Sequence, residues 1–338
     1  MKKIFFALAA VAALASCSKV EATYEPDVEI GFAPVVSNRT KAMRTETTFP
    51  AESFNVWAWY KQLNPGTAIT SWQASAQPQQ EYIVEKPFAP KGDTGLWSGE
   101  TATYFWPKIG SLLFAGYYPT TIADQVSYTF NSTENVMKIV NYVPGFVTTN
   151  GTHEEDLMYF NMTPASYQLS NVEVEFRHAL SWINVVLVKE ANTADNAKIT
   201  VNSVTFTDII PAGNATVNNS GVNAANEIKW MAHGTAKPVV VSEDGGHILA
   251  KGNTTPLAKQ PLFIPQGMTT LVVNYTIAST DGSQFTETKT LPLSGLVAGH
   301  SAWKPGKKYT YTITIGTTEI LIDPEVAEWK PVDVPVAI

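Results

Sequence analysis

The sequence has one cysteine, Cys17, among its 338 residues, and no long apolar run follows its first 16 residues. A lone cysteine excludes disulfides within the chain, so packing and backbone hydrogen bonds must stabilise the fold. A membrane-spanning helix needs about 18 successive apolar residues, which no later segment supplies. Basic residues are also outnumbered, with 23 Lys and Arg against 30 Asp and Glu. This acidic balance argues against nucleic acid as a partner.

Residue groups typical of catalysis or metal binding are missing too. The densest cluster of potential metal ligands is His153-Glu154-Glu155-Asp156. Consecutive residues on a strand point to opposite faces and would not converge on one ion, so we interpret this cluster as a solvated acidic loop. His178 is interpreted as a buried or half-buried structural residue. No histidine pair has metal-ligand spacing, and no Gly-x-Ser-x-Gly elbow occurs. The sequence therefore predicts no metal, no cofactor, no catalytic residue and no enzyme.

The start of the chain has the features of an export signal. Lys2 and Lys3 precede an uncharged apolar stretch, 4–14, that is too short to span a bilayer. The stretch ends in Leu14-Ala15-Ser16-Cys17, which resembles a bacterial lipobox. The resemblance implies removal of residues 1–16 and lipidation of Cys17, whose acyl chains (palmitate among them) would hold the protein at a membrane. Loss of the two lysines changes the formal net charge from −7 to −9.

The rest of the chain is large enough for about two domains, and its apolar residues follow the periodicity of strands. Apolar and polar residues alternate with period two in several segments, as in half-buried strands. Asp281-Gly282 lies between two such segments and predicts a hairpin. No long segment has helical spacing, so we predict an all-β fold. The clearest alternating sets are Phe54/Val56/Ala58/Tyr60, Val172/Val174/Phe176, Leu271/Val273/Tyr275/Ile277 and Tyr309/Tyr311/Ile313/Ile315.

A polar segment that holds Pro164, residues 161–171, separates two strand-rich halves and predicts a domain boundary. We therefore expect the lipidated tether and first strand in 17–44, an N-terminal β-sandwich in 45–165 and a C-terminal β-sandwich in 166–338.

Several segments, taken in order, resemble the fimbrillin family of lipoproteins, the major and minor fimbrium-like subunits of type V pili. The resemblance covers nearly the whole chain. The segments that carry it are Glu29-Ile30-Gly31-Phe32, Phe54-Asn55-Val56-Trp57-Ala58-Trp59, Tyr104-Phe105-Trp106-Pro107, Leu113-Phe114-Ala115-Gly116-Tyr117-Tyr118-Pro119, Asp156-Leu157-Met158-Tyr159, Phe176-Arg177-His178-Ala179-Leu180, Leu262-Phe263-Ile264-Pro265-Gln266 and Trp303-Lys304-Pro305-Gly306-Lys307-Lys308-Tyr309-Thr310-Tyr311.

The resemblance implies two transthyretin-like antiparallel β-sandwich domains in tandem and an outer-membrane lipoprotein at the cell surface or in a fimbrium. Its expected partners are other pilin subunits and a ligand on a host or bacterial surface. Arginine-specific proteolysis is implied after Arg44 or Arg39. Arg44 is favoured because it precedes the exposed-looking linker Thr45-Glu46-Thr47-Thr48. Cleavage at neither arginine, and a stalk, tip or anchor role, stay open.

A sandwich that loses one strand exposes unpaired amides and carbonyls beside an apolar groove, and a strand of another subunit can fill it. Val28, Ile30 and Phe32 alternate as a removable first strand should. A head-to-tail contact of this kind gives a filament. The resemblance implies a C-terminal donor, where Val332, Val334 and Val336 alternate, although Pro335 removes one ladder donor.

The nine tryptophans support an alternative function, a surface carbohydrate-binding lipoprotein for glycan uptake. Trp57 and Trp59 share one face of a predicted strand, and exposed indoles could stack on sugar rings. Packing is the favoured interpretation for this pair. Trp72 and Trp97 lie in Gly-, Ser- and Gln-rich segments and are better candidates for glycan contact.

Overall fold

The computed structural model shows an all-β protein, which confirms the fold class expected from the alternating pattern. The residues that the structure describes form 21 strands and two short 3₁₀ helices, Gly92–Thr94 and Thr120–Gln125. No helix in the described part of the chain has the length and apolarity to cross a membrane. The structure describes residues 27–36, 49–62, 80–131, 134–145, 155–166, 171–193, 197–218, 227–242, 245–296, 299–317 and 320–329.

The strands are 2 to 12 residues long and are spread along the whole described chain. The first nine are β1 Phe32–Val36, β2 Phe54–Lys61, β3 Gln80–Pro90, β4 Trp97–Gly99, β5 Ser111–Tyr118, β6 Val126–Phe130, β7 Asn135–Tyr142, β8 Met158–Ser166 and β9 Val172–His178. The others are β10 Ser181–Lys189, β11 Lys198–Ile209, β12 Ala212–Asn218, β13 Ile228–His233, β14 Lys237–Val240, β15 His247–Leu249, β16 Thr254–Pro256, β17 Leu262–Phe263, β18 Thr270–Ala278, β19 Gln284–Pro292, β20 Lys307–Ile315 and β21 Ile320–Glu328.

Seven strands close into a barrel in the order β1-β4-β3-β2-β5-β8-β9. Closure depends on β1, which pairs in parallel with β9 on one side and reaches β4 on the other at Phe32 and Trp97. Aromatic rings fill much of the interior, because every second residue of these strands points inward. The interior rings are Phe32, Phe49, Phe54, Phe88, Trp97, Trp106, Phe114, Tyr118, Phe160 and Phe176.

A four-stranded sheet, in the order β13-β12-β7-β6, covers the outer face of the barrel wall formed by β2 and β5. Strand β2 is consequently buried on both faces, with Phe54 and Val56 inside the barrel and Trp57 and Trp59 under the covering sheet. The ring of Trp59 lies 4.7 Å from that of Tyr128 on β6.

The last part of the chain forms a two-sheet sandwich. One sheet has the order β16-β10-β20-β21, with β17 also paired to β10, and the other has the order β14-β11-β18-β19, with β15 paired to β11. Alternate residues of both sheets meet in one apolar core, as the period of two requires. The predicted hairpin at Asp281-Gly282 joins β18 to β19, where Ser283 N donates to Asp281 Oδ1 at 2.9 Å.

The strand pairing differs from a purely antiparallel prediction in two places. Strand β1 is parallel to β9, and β10 is parallel to β20. In addition, two pairings join strands on opposite sides of the predicted boundary at 165/166. Strand β9 pairs with β8, which ends at residue 166, and strand β12 pairs with β7, which lies before it. Side-chain alternation is the same in parallel and antiparallel strands and does not depend on which strand is the neighbour. The sequence pattern therefore could not specify the parallel pairs or the pairs that cross residue 166. The boundary at 165/166 and the transthyretin-like topology stay predictions.

A hydrogen bond between β8 and β13 leads to a prediction about alkaline pH. The buried Tyr159 hydroxyl accepts from Ile228 N at 3.0 Å, and burial raises the pKa of Tyr159 from 10.0 to about 12. The unfolded chain therefore ionises this group first, so its contribution to stability is complete below pH 10 and falls as the pH rises towards 12. Between pH 10 and pH 11 the loss is about 1 kcal/mol.

Urea unfolding at pH 9, 10, 11 and 12 measures this effect. The variant Tyr159→Phe should show a shallower decline in unfolding free energy above pH 10 than the unsubstituted chain does. Equal declines would contradict the assignment.

Candidate functional site

The first strand occupies a slot in the barrel wall, and main-chain hydrogen bonds fasten the segment leading into it. On one side Trp106 N donates to Val28 O at 2.9 Å and Ile30 N donates to Tyr104 O at 2.7 Å. On the other side Val172 N, at the start of β9, donates to Gly31 O at 2.8 Å. The segment 28–36 thus lies between two neighbours that would lose their ladder partner without it.

The inward side chains of this segment are apolar and deeply placed, as the alternation predicts. Val28 is half-buried, whereas Ile30 and Phe32 are completely buried. The Phe32 ring lies at the centre of the barrel's aromatic core. Its centroid is 4.9 Å from Phe88, 5.1 Å from Phe114, 5.9 Å from Phe54 and 6.5 Å from Phe160.

Gly31 permits the close approach of this segment to the chain before β9. A Cβ atom at position 31 would overlap Oδ1 of Asn171. Glycine has no such atom, so the Asn171 side chain can keep its place beside the segment, whose Gly31 carbonyl accepts the bond from Val172 N. The motif Glu29-Ile30-Gly31-Phe32 carried this information, but alternation alone did not single out the glycine.

Two ion pairs at the surface hold the outer side of the segment. Lys91 Nζ lies 2.8 Å from Glu29 Oε2, and Lys108 Nζ lies 3.0 Å from Asp27 Oδ1. These side chains are partly exposed to solvent, so each pair contributes about 0.2–1 kcal/mol. Burial of Ile30 and Phe32 contributes more, about 1.5–3 kcal/mol for each side chain. Apolar burial is therefore the main reason that this strand stays in its slot.

A polar network links β5, β2 and β3 on the outer side of the barrel wall, where Tyr117 belongs to the core beneath the four-stranded sheet. The Tyr117 hydroxyl donates to Glu85 Oε1 at 2.6 Å and accepts from Asn55 Nδ2 at 2.6 Å. Burial raises the pKa of Tyr117 far above its usual range, and the Glu85 carboxylate adds to the rise. Burial also raises the pKa of Glu85, against the opposing bond from Tyr117. Both groups are hydrogen-bonded, which is what buried polar groups need, so the network is structural.

A second cluster lies where the chain leaves β21. The imidazole of the buried His178 is paired through Nδ1 with Asp156 Oδ2 and stacks on the Trp329 indole at 3.8 Å, with 8° between the planes. Burial raises the pKa of Asp156, and His178 opposes the rise. Trp329 N also bonds to Gly306 O at 3.3 Å. His178 is thus a structural residue, as interpreted from the sequence, and Trp329 fixes the chain just before its last nine residues.

Three of the four candidate glycan-binding tryptophans are buried. Trp57 and Trp59 are 5% and 3% exposed, because the covering sheet packs on their face of β2. Trp97 is 7% exposed and donates from Nε1 to Glu52 O at 2.9 Å. These three indoles cannot stack on a sugar ring in the folded chain. For Trp57 and Trp59 this agrees with the favoured packing interpretation, and for Trp97 it corrects the prediction of glycan contact. Trp72 lies outside the described residues.

Several other predicted site residues also lie outside the described part of the chain. They are the lipidation residue Cys17, the cleavage candidates Arg39 and Arg44, and the donor candidates Val332, Val334 and Val336. Among the residues that are described, no three His, Cys, Asp or Glu side chains are grouped to hold a metal ion. The site that the structure does bring together is the slot around Val28, Ile30 and Phe32.

Comparison with protein families identifies the family to which the chain belongs. The model of the fimbrillin-like family matches residues 40–329, which is most of the chain. The chain belongs to the fimbrillin-like family. A second model, for the prokaryotic membrane lipoprotein lipid attachment site, matches residues 1–18 and includes Cys17. This fimbrillin-like protein therefore carries a lipoprotein attachment site ahead of its β-rich body.

Solved structures resemble this fimbrillin-like protein over nearly its whole length. A fimbrial protein from Bacteroides vulgatus ATCC 8482 is 18% identical, with a TM-score of 0.63, and the match covers 89% of this chain and 99% of that one. A putative cell adhesion protein from Bacteroides uniformis ATCC 8492 is 16% identical, with a TM-score of 0.51, covering 90% and 99%. At these identities the likeness shows the fold alone. No curated protein matches the sequence.

Proposed function

We propose that this fimbrillin-like protein is a non-enzymatic structural or adhesive subunit of a fimbrium, exported as an outer-membrane lipoprotein through Cys17. Cleavage after Arg44, or after Arg39, separates the lipidated segment from the body. The first strand can then leave its slot, and an extended segment of another subunit replaces it. Membership of the fimbrillin-like family and the likeness to a fimbrial protein from Bacteroides vulgatus support this role.

The observation that carries the proposal is the position of β1 in both the sheet and the chain. It completes a barrel whose other six strands belong to the chain after both arginines. Withdrawal of the segment 28–36, which includes β1, would leave Val172 N and Tyr104 O without their hydrogen-bond partners beside an apolar slot. Exposed apolar surface and unpaired backbone groups both favour re-occupation by another strand.

Arginine is rare enough in this chain to make cleavage selective. The only other arginine is Arg177, which lies within β9 between β1 and β8. A protease must draw an extended segment into its active site, and a strand inside a folded sheet does not offer one. Cleavage of the folded chain should therefore be confined to Arg39 and Arg44.

The full chain carrying Cys17→Ser, which cannot be lipidated, tests this proposal. After treatment with an arginine-specific protease, N-terminal sequencing should find a new terminus at Thr45, or at Thr40. On incubation at high concentration the cleaved protein should form oligomers that gel electrophoresis without boiling resolves as a ladder. The matched control is Arg39→Lys with Arg44→Lys, which keeps both charges and removes both arginines.

The control protein should stay intact and monomeric. A cleaved chain that remains monomeric at every concentration would contradict polymerisation. Cleavage within β9 would contradict the protection attributed to the barrel.

A further inference from the structure

Phe49 belongs to the barrel core although it lies outside the barrel strands. It precedes β2, follows both arginines and is 3% exposed. Four rings surround it, and they belong to strands other than β1. Their centroid distances are 4.3 Å to Phe176 on β9, 5.4 Å to Phe54 on β2, 5.5 Å to Tyr118 on β5 and 5.7 Å to Trp97 on β4.

The residues just after Phe49 are tied to the same barrel wall. Trp97 Nε1 donates to Glu52 O at 2.9 Å, and the Tyr118 hydroxyl donates to the Glu52 carboxylate. Neither bond involves β1. Cleavage after Arg39 or Arg44 would therefore leave Phe49 attached to the body and held in the core by contacts that do not depend on the first strand.

The register of β1 shows how far along the slot Phe49 lies. Phe32 is opposite Val172, Pro34 is opposite Val174 and Val36 is opposite Phe176. Phe49 packs on Phe176, which is opposite Val36, and on Trp97, which is opposite Phe32, so its ring lies between these two levels. Pro34 is buried and faces the same way as Phe32, so its side chain enters the barrel interior at the level of the Phe49 ring.

We propose that Phe49, which stays in the body after cleavage, forms part of the wall of the slot and determines which extended segments fit there. Such a segment places bulky apolar side chains at the levels of Ile30 and Phe32 and a compact side chain at the level of Pro34. A larger side chain at that level would meet the Phe49 ring, and close-packed interiors tolerate little added volume. This assignment rests on the proposed function, in which another strand enters the slot.

Strand exchange into the cleaved, still-complexed Cys17→Ser chain provides the test, with a fluorescent synthetic peptide of residues 27–36 as the probe. The peptide carrying Pro34→Leu should bind about tenfold to a hundredfold more weakly than the unsubstituted peptide. The control peptide Pro34→Ala should bind within about threefold of it. In chains carrying Phe49→Leu or Phe49→Ala, the penalty for Pro34→Leu should shrink to about threefold or less.

Equal binding of the Pro34→Leu and unsubstituted peptides, or a penalty that Phe49→Leu leaves unchanged, would overturn the role of Phe49. If no peptide exchanges at all, the proposed function fails. The role of Phe49 can then be tested separately by the urea concentration at the unfolding midpoint of three uncleaved variants: Pro34→Leu, Phe49→Leu and the double variant. In the double variant, Phe49→Leu should restore at least half of the decrease in midpoint that Pro34→Leu causes. Additive decreases would overturn the assignment.

Discussion

Replacement of Phe32 by alanine should lower the unfolding free energy of the uncleaved Cys17→Ser chain by about 3–5 kcal/mol. The Phe32 ring is fully buried and contacts four other phenylalanine rings in the barrel core. Its removal forfeits the burial of the ring and leaves a cavity that rigid aromatic neighbours fill poorly. Urea unfolding followed by tryptophan fluorescence measures the change.

Val35→Ala is the matched control, because Val35 lies on the same strand with 38% of its surface exposed. Its effect should stay within about 0.5 kcal/mol. A loss below about 1 kcal/mol for Phe32→Ala would mean that the first strand contributes little to the core. In that case its withdrawal would not create a vacancy that favours a replacement.

Replacement of His178 by alanine should cost a similar amount, about 3–5 kcal/mol, by a different mechanism. The imidazole is the partner of the buried Asp156 and stacks on Trp329. Without it, the Asp156 carboxyl remains buried and loses its hydrogen-bond partner, and burial then raises the pKa of Asp156 without opposition. The stack that fixes the end of the described chain is lost at the same time.

Leu321→Ala serves as the control for this cluster, since Leu321 lies on β21 and is 53% exposed. Its unfolding free energy should differ from that of the unsubstituted chain by no more than about 0.5 kcal/mol. Near-equal stabilities of the His178→Ala and unsubstituted chains would contradict a structural role for the cluster. Limited proteolysis of the His178→Ala chain should also release the C-terminal residues earlier, because Trp329 no longer has its stacking partner.

Much of the fold could be predicted because the period of two survives in most strands. The alternating sets at Phe54, Val172, Leu271 and Tyr309 all lie in observed strands, and Asp281-Gly282 forms the predicted hairpin. Alternation reports that a face is buried, but it does not report what covers it. The sheet that covers Trp57 and Trp59, and the pairing of β12 with β7, involve residues far apart in the chain and were not predictable in this way.

The candidate site was predictable in part for the same reason. Val28, Ile30 and Phe32 alternate, and the structure places them along the barrel interior as expected. Phe49 carries no such pattern, because it enters the core as a single residue before β2. The roles of Gly31 and Trp329 were not predictable either. Gly31 lies close to Asn171 and Trp329 stacks on His178, and no local sequence pattern identifies contacts between such distant positions.

Hydrogen–deuterium exchange of the β9 amides, before cleavage, after cleavage and in the oligomer, tests the central claim most directly. The account predicts protection of the amides of Val172, Val174 and Phe176 in the uncleaved chain, because N–H groups alternate in direction along a strand and Val172 N donates to Gly31 O beside β1. It predicts fast exchange once the cleaved first strand has been removed, and renewed protection in the oligomer. Amides that stay equally protected in a cleaved monomer from which the first strand has been removed would contradict it.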